Sequence, residues 1–309
     1  MLANFLSKSK PINFIVLLSL FFCAFIISIY NRFFVDTFSF NNVLKSVVIF
    51  GLFLAVFFFY NFIVSKNRLT FDNSYSYFLF TLFLSFLLST LIEYKTMILT
   101  LLHLFFLRKT YSLKSTKQVL QKLFDAGFWL GISFLIEPVL SIYFILIYTG
   151  IYLHLKITIH TLLTPVLGFI TPLIVYFTYC FWFDITEDFL QLFYFNTINS
   201  IFIYAENNII WFVSIIMVVT LLSIFIKSPK ALSVNNSFKK NWILLILNAV
   251  IALIFALIIP IKNGSEIVYL LFPTSVIIAN GLEVLKSNLV KNILISLVLI
   301  SVIMHTVFL

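Results

Sequence analysis

The sequence predicts an all-α fold, a polytopic transmembrane helical bundle of about eleven spans, with nine as the lower bound. Three observations support this fold class: 62% of the 309 residues are hydrophobic, only 10% are charged, and apolar segments recur along the whole chain. About a quarter of the residues of a soluble domain are charged, so this chain has too little polar surface to face water on all sides. We therefore expect one integral-membrane domain over residues 1–309, without a soluble domain.

The predicted spans follow one another with short polar connections. A hydrocarbon core of about 30 Å requires roughly 20 apolar residues per helix. On this basis the spans cover approximately residues 12–30, 47–64, 75–92, 97–107, 118–137, 139–155, 162–182, 209–226, 242–260, 267–282 and 293–309. The fourth is short and contains His103, which indicates a tilted segment or one buried among other helices. Ser115 and Gln118 have the spacing of a capping box at the start of the fifth, and Pro138 ends it.

The cations predict the orientation of the chain. With a cytoplasmic N-terminus and alternating spans, sixteen of the 20 Lys and Arg residues face the cytoplasm: Lys8, Lys10, Lys66, Arg68, Arg108, Lys109, Lys114, Lys117, Lys122, Lys156, Lys227, Lys230, Lys239, Lys240, Lys286 and Lys291. The outer side receives Arg32, Lys45, Lys95 and Lys262. This is the positive-inside bias of membrane proteins. A single long helix over 118–155 would place the four lysines of 227–240 outside, so the pattern favours a hairpin that turns at Glu137–Pro138.

The composition argues against several classes of function. The formal charge is +9, but the cations stand at the ends of apolar segments, whereas nucleic-acid binders gather them on a wet surface. No nucleic-acid partner is therefore expected. Cys23 and Cys180 lie far apart in apolar segments, which argues against a disulfide framework. The sequence contains no Walker loop, Rossmann glycines or nucleophile elbow, so nucleotide-dependent chemistry is not expected.

Most carboxylates fall on the predicted outer side. That side receives eight of the 11 acidic residues: Asp36, Glu93, Glu137, Asp184, Glu187, Asp188, Glu206 and Glu266. Acidic residues contribute little to membrane orientation, so topology alone does not require this concentration. We expect any chemistry to take place at the outer face.

Asp36 and Glu137 are the candidate catalytic residues. Asp36 lies in the first outer loop, where it is a candidate general base or metal-anchoring carboxylate. The alternative is a turn residue ahead of a helix capped by Asn41 or Asn42. Glu137 stands where two helices meet near the outer surface, and an ionisable group in a membrane segment indicates function because its burial is costly. The alternative is a hydrated loop residue.

Asp184, Glu187 and Asp188 form the candidate metal site. Their spacing places Asp184 and Asp188 on one helix face, and carboxylate oxygens are suitable ligands for a divalent cation. The alternative is that Asp184 and Glu187 only cap the helix that follows.

Three passages carry a resemblance to a known family: Ser7–Asn13, Leu123–Gly131, and Leu163–Pro172 leading to Tyr179–Asp184. They resemble an uncharacterised family of inner-membrane proteins of about 300 residues found in Bacteroidota. The resemblance covers most of the chain and implies a multi-pass protein of the bacterial inner (cytoplasmic) membrane, in contact with membrane lipids. It brings no established activity.

The chain is also similar, more weakly, to the GT-C class of glycosyltransferases, which use polyprenyl-phosphate sugars. That class has a cytoplasmic N-terminus and a catalytic Asp or Glu in the first outer loop, and Asp36 occupies the matching place. The resemblance implies transfer of a sugar from a polyprenyl-phosphate-linked substrate. Arg32, Lys45 or Lys95 would then hold the lipid phosphate as the substrate-binding residues. The alternative is a non-enzymatic subunit of an envelope assembly or transport complex.

Overall fold

The computed structural model describes residues 2–34, 39–154, 157–194, 209–233, 236–260 and 262–308. Within these ranges the regular elements are helices. We number the α-helices in chain order: α1 Leu2–Leu6, α2 Pro11–Ile29, α3 Phe40–Asn67, α4 Tyr75–Phe86, α5 Leu88–Leu91, α6 Tyr94–Tyr111, α7 Val119–Ile136, α8 Phe144–His154, α9 Ile159–Trp182, α10 Thr186–Gln191, α11 Ile209–Ser233, α12 Asn236–Ile258, α13 Val268–Val284 and α14 Asn288–Phe308. Short 3₁₀ turns at Pro138–Tyr143 and Ser265–Ile267 lead into α8 and α13.

Each predicted apolar segment coincides with one helix or with two consecutive ones. Seven helical stretches in the described residues are long and apolar enough to cross a membrane: Pro11–Phe34, Phe40–Asn67, Val119–Ile136, Ile159–Trp182, Ile209–Ser233, Phe238–Ile258 and Ser265–Val284. Tyr75–Phe86, Pro138–His154 and Asn288–Ile300 are shorter apolar helices. The all-helical, multi-pass character is thus confirmed. The count of about eleven spans and the cytoplasmic N-terminus stay predictions.

The chain reverses at Glu137–Pro138, as the charge pattern predicted. Lys95 at the start of α6 lies 3.8 Å from Glu137 at the end of α7, and Lys109 near the end of α6 lies 2.5 Å from Asp125. Helices α6 and α7 are therefore antiparallel. A Cβ on Gly150 of α8 would lie 3.2 Å from the Leu113 side chain, just after α6. Helix α8 consequently returns to the end of the bundle from which α7 started.

The start of α7 differs from the predicted capping box. Gln118 adopts a left-handed backbone conformation with φ of 51°, and α7 begins at Val119 without a side-chain cap. Because Gln118 lies outside the helix, it cannot serve as the third helical residue of a Ser115 box. At α3, the predicted cap at Asn41 or Asn42 is wrong as well: Ser39 is the cap, and its hydroxyl accepts from the Asn42 amide at 3.4 Å.

Helices α4 and α13 form the centre of the bundle. Every residue of α4 is buried, and so are Val268–Leu282 of α13. Tyr60 of α3 joins the two: its ring stacks on Phe80 with centroids 3.8 Å apart, and its hydroxyl lies 2.8 Å from the Ser275 hydroxyl. Pairing of buried hydroxyls with each other and with backbone carbonyls avoids the cost of unsatisfied polar groups in an apolar interior.

Helix α9 packs on α7 through glycines. A Cβ on Gly127 would overlap the Pro165 carbonyl oxygen, one on Gly131 would overlap the Phe169 carbonyl oxygen, and one on Gly168 would overlap the Phe124 carbonyl oxygen. Small residues at four-residue spacing let two membrane helices bring their backbones into contact. The outward side of α9 carries exposed apolar residues such as Leu167 and Val175, as expected for a surface that faces lipid.

Candidate functional site

Three of the residues predicted from the sequence meet at one end of the bundle. Arg32 Nη2 lies 3.3 Å from Glu93 Oε1, and Arg32 Nη1 donates to the Ser89 carbonyl at 2.8 Å. Lys95 Nζ lies 3.8 Å from Glu137 Oε2. Because Glu93 and Lys95 both stand at the start of α6, the two ion pairs lie at the same end of the bundle. Arg32, Lys95 and Glu137 therefore belong to one polar cluster, which we call the Glu137 cluster.

The Glu137 side chain is mostly buried, with 19% of its surface exposed, whereas that of Lys95 is 60% exposed. Burial raises the pKa of the Glu137 carboxyl above its usual value; Lys95 acts in the opposite direction, and Glu266 adds to the increase. A carboxyl group with a raised pKa gains and loses protons closer to neutral pH, which suits acid–base chemistry.

The other predicted site residues lie apart from this cluster or outside the description. Asp36 lies outside the described residues. Lys45 is half-buried on α3. Glu187 and Asp188 are exposed in the first turn of α10, and Asp184 precedes it in a left-handed conformation with φ of 56°.

The geometry of Asp184, Glu187 and Asp188 supports neither the metal-site interpretation nor the helix-cap interpretation. In the described part of the chain, no three His, Cys, Asp or Glu side chains are grouped so that they could hold a metal ion. The metal assignment to Asp184, Glu187 and Asp188 stays a prediction. Nor does Asp184 cap α10, which starts at Thr186 without a side-chain cap.

A second polar site lies at the opposite end of the bundle, around Lys227 of α11 and Glu283 of α13. Lys227 Nζ is 3.0 Å from Glu283 Oε2, and the two side chains are only 5% and 6% exposed. The ammonium also lies 4.8 Å and 5.2 Å from the ring centroids of Phe71 and Phe238. Cation–π contacts of this length stabilise a desolvated ammonium group. The pair is thus enclosed by aromatic surface.

The second oxygen of Glu283 holds the connection between α3 and α4. Glu283 Oε1 accepts from the Phe71 amide at 2.8 Å and from Asn73 Nδ2 at 2.6 Å. Asn280, one turn earlier on α13, donates to the Leu69 carbonyl at 2.8 Å. Both carboxylate oxygens are therefore used, which offsets the large cost of burying an ionised group. The arrangement fixes residues 68–74 against α13.

A cavity of about 730 Å³ opens beside this pair. Residues from the α1–α2 and α3–α4 connections, from the turn after α6, and from α2, α3, α4, α11, α12 and α13 line it. Its charged side chains are four cations and two carboxylates, Arg68, Lys114, Lys227, Lys230, Asp72 and Glu283, which leaves a formal charge of +2. Its neutral walls are mixed: Asn61, Ser65, Asn73 and Ser76 are polar, and Phe14, Val64, Phe71 and Phe238 are apolar. The cavity is therefore amphipathic and cationic.

Three of its cations form no ion pair with a carboxylate of the described residues. Arg68 and Lys230 are exposed and Lys114 is half-buried. Within the described ranges no carboxylate forms an ion pair with any of them; Lys114 Nζ has only the Asn67 carbonyl at 3.5 Å. The positive-inside pattern assigned all three to the cytoplasmic side. The cavity thus opens at the end of the bundle predicted to face the cytoplasm, opposite the Glu137 cluster.

Sequence reasoning missed this cavity because it used the inner charges only as markers of orientation. The available signal was a charged residue at the inner end of each of two long apolar helices, Lys227 in α11 and Glu283 in α13. Both were predicted on the same side of the membrane. Charges of opposite sign at one level of a bundle are candidates for pairing.

Comparison with known proteins gives a family but no activity. A model described as a family of unknown function (DUF6427) matches residues 1–308. No curated protein and no solved structure matches the chain. The expectation of an uncharacterised family that covers most of the chain is confirmed. This chain belongs to the family of unknown function DUF6427.

Proposed function

We propose that the protein is a ligand-binding component of the bacterial inner membrane, acting in transport or in an envelope assembly, and that its ligand occupies the cavity beside Lys227 and Glu283. The observation that carries the proposal is the cavity itself, which combines a charge surplus with apolar walls. Its volume of about 730 Å³ lies within the range of about 300–1,000 Å³ typical of small-molecule sites.

The chemistry of the cavity favours binding over catalysis. Lys227 and Glu283 are paired at 3.0 Å, and Glu283 also accepts hydrogen bonds from the Phe71 amide and from Asn73. Both oxygens of this carboxylate are thus already occupied within the protein, which does not suit contact with a reacting group. The pair instead makes a rigid wall, beside which the cations Arg68, Lys114 and Lys230 can attract an anion.

The proposal is tested by introducing a larger side chain into the cavity. Asn61 lines it from α3, so Asn61→Trp should occupy part of its volume. Phe58→Trp is the matched control, because Phe58 lies on the same helix and is exposed on the outside of the bundle. Both proteins would be purified from membranes, and the small molecules released on denaturation would be measured by mass spectrometry. We expect a component present in the wild type and in Phe58→Trp that is depleted in Asn61→Trp. The same content in all three would overturn the proposal.

A second candidate function is transfer of a sugar from a polyprenyl-phosphate donor at the outer face. The observation in its favour is the Glu137 cluster, which brings a carboxyl of raised pKa beside the exposed cation Lys95, at the same end of the bundle as Arg32. In this proposal Asp36 activates the acceptor hydroxyl, Glu137 exchanges a proton, and Arg32, Lys45 and Lys95 hold the lipid phosphate. Asp184, Glu187 and Asp188 would position a divalent metal or the acceptor.

The enzymatic candidate is tested by neutralising its carboxyl groups. Asp36→Asn and Glu137→Gln should abolish surface glycosylation in cells that still accumulate the protein at normal levels. Glu187→Gln, an exposed carboxylate of α10, tests the metal assignment separately. Surface glycosylation that is unchanged in both Asp36→Asn and Glu137→Gln would exclude this function.

A further inference from the structure

We propose that the ligand of the cavity is an anionic phospholipid, whose phosphate lies among Arg68, Lys114 and Lys230. This inference rests on the proposed function as a ligand-binding membrane component and assigns the chemical class of its ligand. It concerns the end of the bundle opposite the Glu137 cluster and is therefore independent of the glycosyltransferase candidate.

The cavity offers a ligand a net positive charge. Glu283 neutralises Lys227 at 3.0 Å, so that pair contributes no net attraction. The remaining lining charges are Arg68, Lys114 and Lys230 against Asp72, a surplus of two positive charges. Arg suits a phosphate because its planar guanidinium binds two oxygens at once, and Lys supplies a mobile point charge. A phosphodiester headgroup without a cation of its own carries one negative charge and is attracted by this surplus, whereas a zwitterionic headgroup also brings a cation that the surplus repels.

Apolar surface lies beside these cations. Phe14, Val64, Phe71 and Phe238 line the same cavity, and a free phosphate ion would leave this surface unused. The glycerol group and the first carbons of an acyl chain would cover it, with a gain of roughly 25 cal/mol per Å² buried. The mixed lining therefore favours an amphiphile over a small inorganic anion.

The residues around the cavity indicate the depth in the membrane at which it opens. Ile12, two residues before the lining residue Phe14, is 52% exposed, and Leu232, two residues after the lining residue Lys230, is 47% exposed. Large apolar side chains that are exposed this close in sequence to lining residues indicate that hydrocarbon reaches this end of the bundle. Lys8 and Lys10, on either side of the lining residue Ser9, are exposed at the same end. Basic pockets between membrane helices on the cytoplasmic side are suited to anionic headgroups.

The experiment compares two triple variants of equal charge. The cavity variant is Arg68→Gln, Lys114→Gln and Lys230→Gln. The control is Lys66→Gln, Lys117→Gln and Lys286→Gln, three exposed lysines predicted on the same membrane side and absent from the cavity lining. The full-length proteins, purified in detergent, would be titrated with dioleoyl-phosphatidylglycerol, with dioleoyl-phosphatidylcholine and with inorganic phosphate. Bound lipid would be counted by native mass spectrometry.

We expect the wild type and the control to bind phosphatidylglycerol about tenfold or more tightly than phosphatidylcholine, and the cavity variant to lose that selectivity. Inorganic phosphate should not displace the lipid. The single variant Lys230→Gln, at an exposed position, serves if the triple variant fails to fold, and should lose part of the selectivity. Equal binding of the two lipids by the wild type, or equal losses in both triple variants, would overturn the lipid assignment. Displacement by inorganic phosphate would assign a free-phosphate site instead.

The two proposals fail in different ways. Suppose that a co-purifying molecule is depleted in Asn61→Trp but the wild type binds the two lipids equally. The cavity is then a binding site for another ligand, and only the lipid assignment is wrong. If Asn61→Trp has no effect on the bound molecules and the lipids bind equally to all variants, both proposals fall.

Discussion

Lys227 Nζ lies 3.0 Å from Glu283 Oε2, although the two residues are 56 positions apart in the sequence. The contact joins α11 to α13, and through the other oxygen of Glu283 it reaches the connection between α3 and α4. Three parts of the chain thus depend on one carboxylate. The contact can be tested through the free energy of unfolding, through hydrogen exchange of the α3–α4 connection and through ligand binding.

Replacing one member of the Lys227–Glu283 pair should destabilise the fold more than replacing both. Lys227→Met leaves a buried carboxylate without its cation, and Glu283→Gln leaves a buried ammonium without its anion. Either change should lower the free energy of unfolding by about 3–5 kcal/mol. The double variant should lose less than either single one, because no unpaired charge remains. Thermal unfolding of the detergent-purified proteins checks this; additive losses would contradict the assigned pairing.

Asn73→Ala should loosen the connection between α3 and α4. The substitution removes the 2.6 Å hydrogen bond to Glu283 Oε1, a bond to a charged group that contributes about 1.5–3 kcal/mol. Hydrogen exchange of residues 69–74 should become faster, while the buried core of α4 keeps its protection. Asn61→Ala, in the same cavity, is the control. Equal exchange of 69–74 in wild type and Asn73→Ala would argue against this role for Glu283.

Gly127→Ala should separate α9 from α7, because its methyl group would overlap the Pro165 carbonyl oxygen. Overpacking of this kind typically costs about 1–3 kcal/mol. Gly51→Ala is the matched control: a Cβ there meets nothing within 4 Å, so helix propensity should make it neutral or up to about 1 kcal/mol more stable. Thermal unfolding distinguishes the two. Equal effects of Gly127→Ala and Gly51→Ala would show that α7 and α9 do not pack through this glycine.

The stability of the protein should fall as pH rises above the usual carboxyl range, in part because of Glu137. Burial raises the pKa of this carboxyl in the folded state, so between its unfolded and folded pKa values the folded state binds more protons. Unfolding then becomes more favourable with increasing pH until the folded pKa is passed. Glu137→Gln should reduce this loss, whereas Glu93→Gln, at an exposed carboxylate, should leave it in place. Melting temperatures measured from pH 4 to pH 9 test the sign. An identical pH dependence in wild type and Glu137→Gln would contradict it.

The sequence was informative where the signal is local and periodic. Apolar runs located the helices, and the lysines of 227–240 predicted the reversal at Pro138 that the α6–α7–α8 contacts confirm. Cap assignments at Ser115, Asn41 and Asn42 were wrong, because they depended on backbone conformations such as the positive φ of Gln118. Helix periodicity does not determine such a conformation.

The candidate sites required tertiary information. Glu137 was expected near the outer surface, but its partner Lys95 lies 42 positions earlier and meets it only because α6 and α7 are antiparallel. The cavity is lined by nine helices and connections that lie between Ser9 and Val284 in the sequence, and none of them carries a motif of its own. The sequence instead directed attention to 184–188, where the carboxylates are exposed and ungrouped.

The central claim is that the cavity beside Lys227 and Glu283 holds an anionic lipid. The most direct test is photo-crosslinking of the full-length protein with a photoreactive phosphatidylglycerol, followed by mapping of the labelled peptides. We predict labelling around Phe71 and Phe238, competed by unlabelled phosphatidylglycerol but not by phosphatidylcholine, and lost in the Arg68, Lys114 and Lys230 triple variant. Labelling confined to the exposed face of α9, or equally competed by both lipids, would contradict the claim.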